Sequence, residues 1–385
     1  MAIYKTLVKK VSIPPDKKTK QKQYEVEGKL AIIDQGQKLI GGYSDDQTMK
    51  LECSLPVIVF GDHTCTVKYI DFPFGAGADG IKVLEPSELT IPKYLYYGTQ
   101  YLTLRFPDKG YARHYQHIEK MDLTIPPRPE QERIVTRIEE LFSELDKAVE
   151  TLQTIKQQLA VYRQAVLKEA FEGKLTNSTI SGKRRLGEYI EKPRYGTSKK
   201  CGYDTGKEYT AVIRIPNINA KQGIIDHSDL KYAKFDVDEL KLLSLEEGDI
   251  LIIRSNGSVS IVGMAAMVRS CDINDTFAGY LIRLRIHSKK ELFPKYLLHF
   301  LSSYEARSYI ERVAKSTSGV NNINAQEIAR LEIPVTSMQE QIAIVTEIES
   351  RLSVCESIEQ TVDTALAQAD AMRQSILKQA FEGGF

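Results

Sequence analysis

The sequence contains no tryptophan and only five cysteines in 385 residues, and no two cysteines form a C-x-x-C pair. Scattered cysteines are typical of a reduced chain without a disulfide framework or a structural zinc site. A recognisable signal peptide is missing, as is any apolar run long enough to cross a bilayer. We therefore expect a cytoplasmic protein.

Motifs that carry catalysis are missing as well. The sequence has no P-loop, no His-Glu-x-x-His pair, no serine nucleophile elbow and no Asn-Pro-Pro-aromatic motif of a methyltransferase. His63-x-Cys65 and His114-x-x-His117 lack further ligands at metal spacing. We expect a non-catalytic chain that binds no metal and no cofactor of its own.

One glycine-rich stretch, Phe74–Gly80, is similar to the turn that begins a nucleotide or methyl-donor site. Such a site needs a helix after the turn. The following residues, Ile81–Leu84, have the pattern of a strand. The stretch therefore predicts a hairpin turn, and an enzyme with a methyl-donor loop is the weaker alternative.

What the chain does contain is one long segment that occurs twice. Residues 130–173 and 340–383 align at a constant offset of 210 residues and share 19 identities over 44 positions. Pro126-Pro127 and Pro334 precede the two copies, and Gly173 and Gly383 end them, as expected for helix boundaries. Self-similarity of this kind predicts a duplicated architecture.

Apolar residues in both copies recur with the 4-3 spacing of a coiled-coil seam. Each copy predicts one unbroken helix of roughly 65 Å, because it contains neither proline nor an interior glycine. A long segment separates the copies, so we expect an antiparallel pair. The residues expected to pair the helices or to dock other subunits are Ile134, Ile138, Leu145, Leu152, Leu159, Ile344, Ile348, Ile358, Val362 and Ile376.

The repeat divides the chain into lobe 1 (1–128), a helix (129–173), lobe 2 (174–338) and a second helix (339–385). Their net charges are +3 and +6 for the lobes and −8 for the helices together. Basic lobes on acidic helices suggest that the lobes meet a polyanion and the helices meet something else.

The two lobes share the order of their predicted elements. Pro92-Lys93-Tyr94-Leu95 recurs 202 residues later as Pro294-Lys295-Tyr296-Leu297, which indicates that the lobes are duplicates too. The predicted strands are Leu30–Ile33, Leu55–Phe60, Thr66–Ile70, Ile81–Leu84, Ile250–Ile253, Val259–Val262 and Tyr280–Ile286.

Polar loops at equivalent places in the lobes are candidates for contact with DNA. Arg254–Ser258 follows a strand directly, and arginine and asparagine pair bidentately with guanine and adenine. Lys315–Asn322 precedes the second helix, and Lys109–Gln116 is its counterpart in lobe 1. The candidate residues are Arg254, Ser255, Asn256, Ser258, Lys199, Lys200, Arg214, Asn217, Lys315, Ser316, Asn321, Asn322, His63, Thr64, Lys68, Arg113, His114 and Gln116.

The repeated block Ile-Pro…Glu-Gln…Ile-Val…Ile-Glu…Arg-Gln-x-hydrophobic-Leu-Lys-x-Ala-Phe-Glu-Gly, over 125–173 and 333–383, resembles the specificity (S) subunits of Type I restriction–modification systems. In lobe 2, Leu186-Gly187-Glu188, Arg254–Gly257 and Ser318–Ile323 resemble a target-recognition domain. Lobe 1 departs from that pattern, since Phe60–Thr64 stands where lobe 2 has Arg254–Ser258.

The resemblance implies an α/β (α+β) fold with two globular target-recognition domains, separated by two long antiparallel coiled-coil helices in a pseudo-twofold arrangement. It also implies a non-catalytic reader of split double-stranded DNA sites. Two modification (methyltransferase) subunits and restriction/translocase subunits would be its partners, and these would hold S-adenosylmethionine, ATP and Mg. A coiled-coil adaptor whose lobes bind proteins remains the alternative.

Overall fold

The computed structural model describes residues 1–78, 80–105, 112–317 and 319–384, and within 315–317 it describes only the backbone. The chain forms two compact units, Met1–Thr154 with Val362–Phe385, and Ile155–Thr361. Each unit therefore contains one predicted lobe, the start of one long helix and the end of the other. No helix in the described ranges is long and apolar enough to cross a membrane.

Among its described residues, the first unit contains nine short strands, two helices of its own, the start of one long helix and the end of the other. The elements are β1 Ala2–Ile3, β2 Val8–Val11, β3 Leu30–Ile33, β4 Gly42–Ser44, β5 Val57–Gly61, β6 Val67–Ile70, β7 Phe74–Ala76, β8 Ile81–Pro86, α1 Pro92–Thr103, α2 Tyr115–Ile118, β9 Asp122–Leu123 and α3 Arg128–Phe171. They form an antiparallel sheet β2-β8-β5-β6, a sheet β4-β3-β7 in which β3 and β7 are parallel, and the pair β1-β9.

The second unit repeats this plan and adds to it. Its elements are β10 Lys183–Arg185, β11 Arg194–Tyr195, β12 Tyr209–Ile213, β13 Ile218–Asn219, β14 Ile224–Ile225, β15 Lys231–Lys234, α4 Val237–Leu243, β16 Ile250–Ile253, β17 Ser255–Asn256, β18 Ala265–Met267, β19 Thr276–Phe277, β20 Leu281–Leu284, α5 Pro294–Leu301, α6 Tyr304–Val313, β21 Lys315–Thr317, β22 Val320–Asn322, α7 Ala325–Ala329, β23 Glu332–Pro334 and α8 Met338–Glu382.

The sheets of the two units correspond strand by strand. The sheet β11-β20-β16-β18 matches β2-β8-β5-β6, the sheet β15-β12-β19 matches β4-β3-β7 with the same parallel pair, and β10-β23 matches β1-β9. The hairpin β13-β14 and the sheet β17-β22-β21 have no such match among the described strands. The predicted duplication of the lobes is therefore confirmed at the level of topology.

Both long helices form as predicted. α3 has 44 residues and α8 has 45. Gly173 and Gly383 follow their last turns with φ of +76° and +89°, a backbone conformation that glycine adopts without strain. A Cβ on Gly173 would lie 2.3 Å from the Ser178 carbonyl oxygen, so this position also requires glycine for space.

Within each unit the two long helices run antiparallel. In the first unit Ile134 and Phe142 of α3 share a core with Phe381 and Ile376 of α8. In the second unit Val166 and Phe171 of α3 share a core with Ile348 and Ile344 of α8. As the residue number rises along one helix, it falls along the other, which confirms the predicted antiparallel pairing.

Burial along the predicted seam varies from residue to residue. Ile134, Ile138, Ile344, Ile348, Val362 and Ile376 are buried, and Leu145, Leu152 and Leu159 are half-buried. Ile358, however, leaves 41% of its surface exposed, and the neighbouring Glu359 is half-buried instead. Glu359 accepts from Arg163 at 3.0 Å and pairs with Lys221 at 2.8 Å, so an ionic contact replaces the strict heptad there.

Two strand predictions need correction. Residues 259–262 form turns, with Ile261 N–H donating to the Ser258 carbonyl, and the strand comes later as β18. Phe74–Gly80 is not simply a hairpin turn, because its first three residues form the buried strand β7, which pairs in parallel with β3. Asp79 of this stretch lies outside the described residues. The residues that follow form β8, as expected.

Candidate nucleic-acid interface

The two predicted loops of lobe 2 come together in one small sheet. β16 ends at Ile253, Arg254 follows, and β17 then pairs antiparallel with β22, with Ser255 opposite Asn322 and Asn256 opposite Asn321. β22 in turn pairs with β21. Residues from 254–258 and 315–322, which are some sixty positions apart, therefore share one surface. Ser318 lies outside the described residues, as do the side chains of Lys315 and Ser316.

Arg254 lies at the junction between the lobe's main sheet and this small sheet. Its N–H donates to the Tyr280 carbonyl and its carbonyl accepts from Ile323 N–H, both at 2.9 Å. The guanidinium carbon lies 4.6 Å from the ring centroid of Tyr195. The side chain is half-buried, so a strand end presents part of an arginine to solvent, as predicted.

The polar side chains of the small sheet are ordered by contacts within the loop. Asn256 accepts from Ser258 N–H at 2.9 Å, and the Asn321 amide donates to the Gly257 carbonyl at 2.9 Å. The Asn322 side-chain oxygen is buried and has no hydrogen-bond partner among the described residues. Such an oxygen is able to accept one further hydrogen bond.

The other basic candidates of lobe 2 differ in availability. Lys200 is exposed, and none of the described residues is in ion-pair contact with it. Lys199 is paired with Glu239, and Arg214 with Asp229 at 2.9 Å. Asn217 is 1% exposed, and its amide donates to the carbonyls of Asp226 and Asp229, so it holds the loop internally.

Lobe 1 brings its two candidate segments together at the equivalent place. The turn after β5 contains Asp62, His63 and Thr64. The Asp62 carbonyl accepts from His114 N–H at 2.8 Å, and His63 Nδ1 lies 3.0 Å from the Ala112 carbonyl oxygen. Residues 109–111 of the predicted loop lie outside the described residues.

The availability of the lobe 1 candidates also varies. Arg113, Gln116 and Thr64 are exposed, whereas His114 is buried. Lys68 is 4% exposed and donates to the Asp34 carbonyl at 2.7 Å. Burial lowers the pKa of Lys68. Because side chains alternate along a strand, Lys68 lies on the same face as the buried Ile70, and its ammonium group faces inward.

Sequence reasoning missed the side chains that attach each lobe to the long helices. Gln131 and Gln341, offset by 210 residues, are 1% and 2% exposed. Gln131 accepts from Ile91 N–H and donates to the carbonyls of Leu89 and Pro126, each at 2.9 Å. The Glu-Gln pair recurs in the repeated block, but the partners of the glutamine at Leu89 and Ile91 are about 40 positions away, so the pattern alone does not reveal them.

Gln341 makes the same three contacts in the second unit. It accepts from Phe293 N–H at 2.8 Å and donates to the carbonyls of Glu291 and Thr336 at 2.9 and 3.1 Å. Each glutamine therefore joins the start of a long helix to the segment just before the Pro-Lys-Tyr-Leu helix.

The repeated Pro-Lys-Tyr-Leu segment completes the attachment. Lys93 pairs with Glu139 at 2.6 Å, and Lys295 pairs with Glu349 at 2.8 Å, again at equivalent positions. His299 and Lys295 together lower the pKa of Glu349 to about 2.

Each of these short helices also contacts the end of the other long helix. The Tyr94 ring lies 5.0 Å from Phe381, and the Tyr296 ring lies 5.1 Å from Phe171. α1 and α5 are therefore each held by the start of one long helix and the end of the other.

One group of side chains in lobe 2 has the composition of a metal site. His227 Nε2 lies 3.0 Å from Asp272 Oδ1 and 3.1 Å from Asp275 Oδ2. Arg269 donates to both carboxylate oxygens of Asp272 at 3.2 Å, so these oxygens are already neutralised. Burial and the Asp272 charge raise the pKa of Asp275 to about 6. Arg269 thus already occupies Asp272, whereas Asp275 Oδ2 is buried without a hydrogen-bond partner among the described residues.

Comparison with known proteins identifies relatives along the whole chain. A family model described as the Type I restriction modification DNA specificity domain matches residues 13–160. The specificity subunit of the Type I restriction enzyme EcoKI from Escherichia coli (strain K12) is 30% identical over 272 residues, which are 68% of this chain and 57% of that protein. The StySPI specificity subunit from Salmonella potsdam is 26% identical, covering 97% of this chain and 78% of that protein. The chain thus spans a little over half the length of the first of these relatives.

Solved structures share the fold. A chain from a type I R-M system, solved for its complex assembly and conformational transition, superposes with a TM-score of 0.69 at 15% identity and covers 99% of this chain and 96% of that one. The HsdS subunit from Thermoanaerobacter tengcongensis gives a TM-score of 0.51 at 15% identity, covering 100% and 96%. Two sheet-rich lobes with two long helices in contact define the structural class. The chain belongs to the family of Type I restriction–modification specificity subunits.

Proposed function

We propose that this chain reads a split, asymmetric DNA target, with one lobe on each half-site, and that it is the non-catalytic subunit of its complex. The observation that carries the proposal is the equivalent position of the candidate surface in both lobes. In each, the turn after a central strand, β5 or β16, meets the segment that precedes the last strand before a long helix. Different side chains at the same place suit two different half-sites.

We assign base contacts to polar side chains at these surfaces. In lobe 2 they are Arg254, Ser255, Asn256, Ser258, Asn321 and Asn322, together with Lys315 and Ser316, whose side chains lie outside the described residues. In lobe 1 they are His63, Thr64, Arg113 and Gln116. Arginine and amide side chains are the groups that distinguish base pairs in the major groove.

We assign contacts with the DNA backbone to lysines, which bind phosphates and fix the register of the protein without reading the base sequence. Lys200 suits this role because it is exposed. Lys68, His114, Asn217, Arg214 and Lys199 stay outside the proposed direct contacts, since each is buried or bonded within its lobe.

The long helices are the proposed docking site for two methyltransferase subunits and for restriction subunits. Their surplus of acidic residues disfavours DNA, which leaves their outward faces for protein partners. The partners, rather than this chain, would supply S-adenosylmethionine, ATP and Mg. The alternative is a coiled-coil adaptor whose lobes bind proteins. Binding of the complex to a split DNA site would exclude it.

The helices also act as a ruler in this proposal, since each begins against one lobe and ends against the other. The test inserts four residues after Gln153 and four after Asp363, equivalent positions of α3 and α8. The insertion adds about 6 Å of helix. We expect a longer spacer in the methylated motif, with both half-sites unchanged.

The matched control inserts four additional residues into the exposed loop of lobe 2 between Tyr203 and Glu208. This variant should methylate the original motif. A spacer that stays constant in the helix variant, while both half-sites remain methylated, would refute the ruler.

A further inference from the structure

The Arg254 guanidinium is held by a ring face rather than by hydrogen bonds along its edges. Its carbon lies 4.6 Å from the Tyr195 ring centroid. Nη1 donates weakly to the Gly279 carbonyl at 3.4 Å, and Nε is buried without an acceptor among the described residues. No described carboxylate forms an ion pair with this arginine. Within the described part of the chain, the terminal nitrogens therefore remain the donors available to a base.

Other arginines of lobe 2 are bound differently. Arg285 donates through Nε and Nη2 to both oxygens of Asp249, at 2.9 and 2.7 Å. Arg269 does the same to Asp272. Their edges are saturated, and these residues stabilise the lobe. A guanine-reading arginine needs the opposite condition, a fixed plane with donors left over for O6 and N7.

Tyr195 is itself fixed on three sides. It lies in β11 opposite Ile282 of β20, and its hydroxyl accepts from Ala325 N–H at 2.9 Å. The next residue, Gly196, approaches β19 so closely that a Cβ there would lie 2.2 Å from the Phe277 carbonyl oxygen. Strand pairing and the close approach of Gly196 fix the backbone of Tyr195, which is 40% exposed, and so place its ring beside Arg254.

We propose that Tyr195 is the positioning residue for base selection by lobe 2, because its ring orients Arg254 to read one guanine of the half-site. This inference rests on the proposed function and adds to it the base that is read and the side chain that makes reading selective. Cation–π contact of this kind restrains the guanidinium plane while leaving the terminal nitrogens free.

The test compares Tyr195→Leu, Tyr195→Phe and Arg254→Ala, each co-expressed with the modification subunit, by measuring methylation at every single-base variant of the motif. A bidentate arginine–guanine pair corresponds to about 5- to 150-fold discrimination. Arg254→Ala should abolish it at one base pair. Tyr195→Leu should reduce discrimination about three- to tenfold at the same base pair, and Tyr195→Phe, which keeps the ring, should retain it.

The control is Tyr280→Leu, since Tyr280 is also exposed and the substitution keeps its carbonyl, which accepts from Arg254 N–H. It should leave the motif unchanged. Equal behaviour of Tyr195→Phe and Tyr195→Leu, or relaxation at a different base pair from Arg254→Ala, would overturn the inference.

Two further results separate the possible failures. If Tyr195→Leu loses methylation at all sites, the other two variants test the inference. Tyr195→Phe must then keep discrimination at the base pair where Arg254→Ala loses it. If the unaltered chain directs no methylation to a split motif, the proposed function itself fails. If it does and Tyr195→Leu changes nothing, only the role of Tyr195 fails.

Discussion

The buried glutamine of each repeated block offers the sharpest test of how the lobes are attached to the helices. Replacing Gln131 with Met keeps the side chain's length and volume but removes one acceptor and two donors. It leaves Ile91 N–H and the carbonyls of Leu89 and Pro126 without their partner. Gln341→Met has the same effect on Phe293, Glu291 and Thr336.

The expected cost follows from these three groups. A buried polar group that loses its partner costs about 1–3 kcal/mol. Leu89 is 61% exposed, so water should reach its carbonyl and replace part of that bond. Counting mainly Ile91 N–H and the Pro126 carbonyl, we expect Gln131→Met to destabilise its unit by about 2–6 kcal/mol.

Hydrogen exchange resolved by peptide suits this measurement, because a chain of two units need not unfold in a single step. Gln131→Met should raise exchange at 87–95 and along α1, while 290–301 stays protected. Gln341→Met should produce the reverse pattern. Gln153→Met, at an exposed position of the same helix, is the control and should change neither region.

A contradictory result is easily recognised. Suppose that Ile91 N–H remains as protected from exchange in Gln131→Met as in the unaltered chain, and that the free energy of unfolding in urea changes by less than about 0.5 kcal/mol. The glutamine then does not stabilise the attachment of the lobe to the helix. The repeated Glu-Gln would then need another explanation, such as contact with a partner subunit.

The remaining predictions concern charge. In the complex with DNA, Lys200→Ala should lower the slope of log affinity against log salt by about one. Lys199→Ala should change this slope less, because Lys199 is already paired with Glu239. Equal slopes for the two variants would show that Lys200 does not contact phosphate. The pKa of Asp275 is raised to about 6, so between about pH 4 and pH 6 the folded chain holds a proton that the unfolded chain has released. Folding stability should therefore fall as pH rises through this window, and urea unfolding of Asp275→Asn should show a smaller fall; identical pH profiles would contradict the assignment.

Periodicity alone was sufficient to predict the duplicated helices and most strands of the central sheets. The 210-residue offset, the absence of helix breakers and the terminal glycines located α3 and α8, and runs such as Ile250–Ile253 are buried strands as expected. These features are local in sequence, so a pattern of residues determines them.

Contacts between distant segments could not be predicted in this way. Tyr195 and Arg254 meet only because β11 and β16 both pair with β20. Ile358 fits the heptad but is exposed, since Arg163 and Lys221 draw Glu359 into the contact instead. The charge of Lys68 favours a DNA contact, but Lys68 lies on the same face of β6 as the buried Ile70.

The most direct test of the central claim is a methylome of an unmethylated host that expresses this chain with its modification subunit, mapped for N6-methyladenine by single-molecule sequencing. The account predicts one motif made of two short, different half-sites around a fixed spacer. Methylation at a contiguous motif, or none at all, would contradict the assignment of one half-site to each lobe.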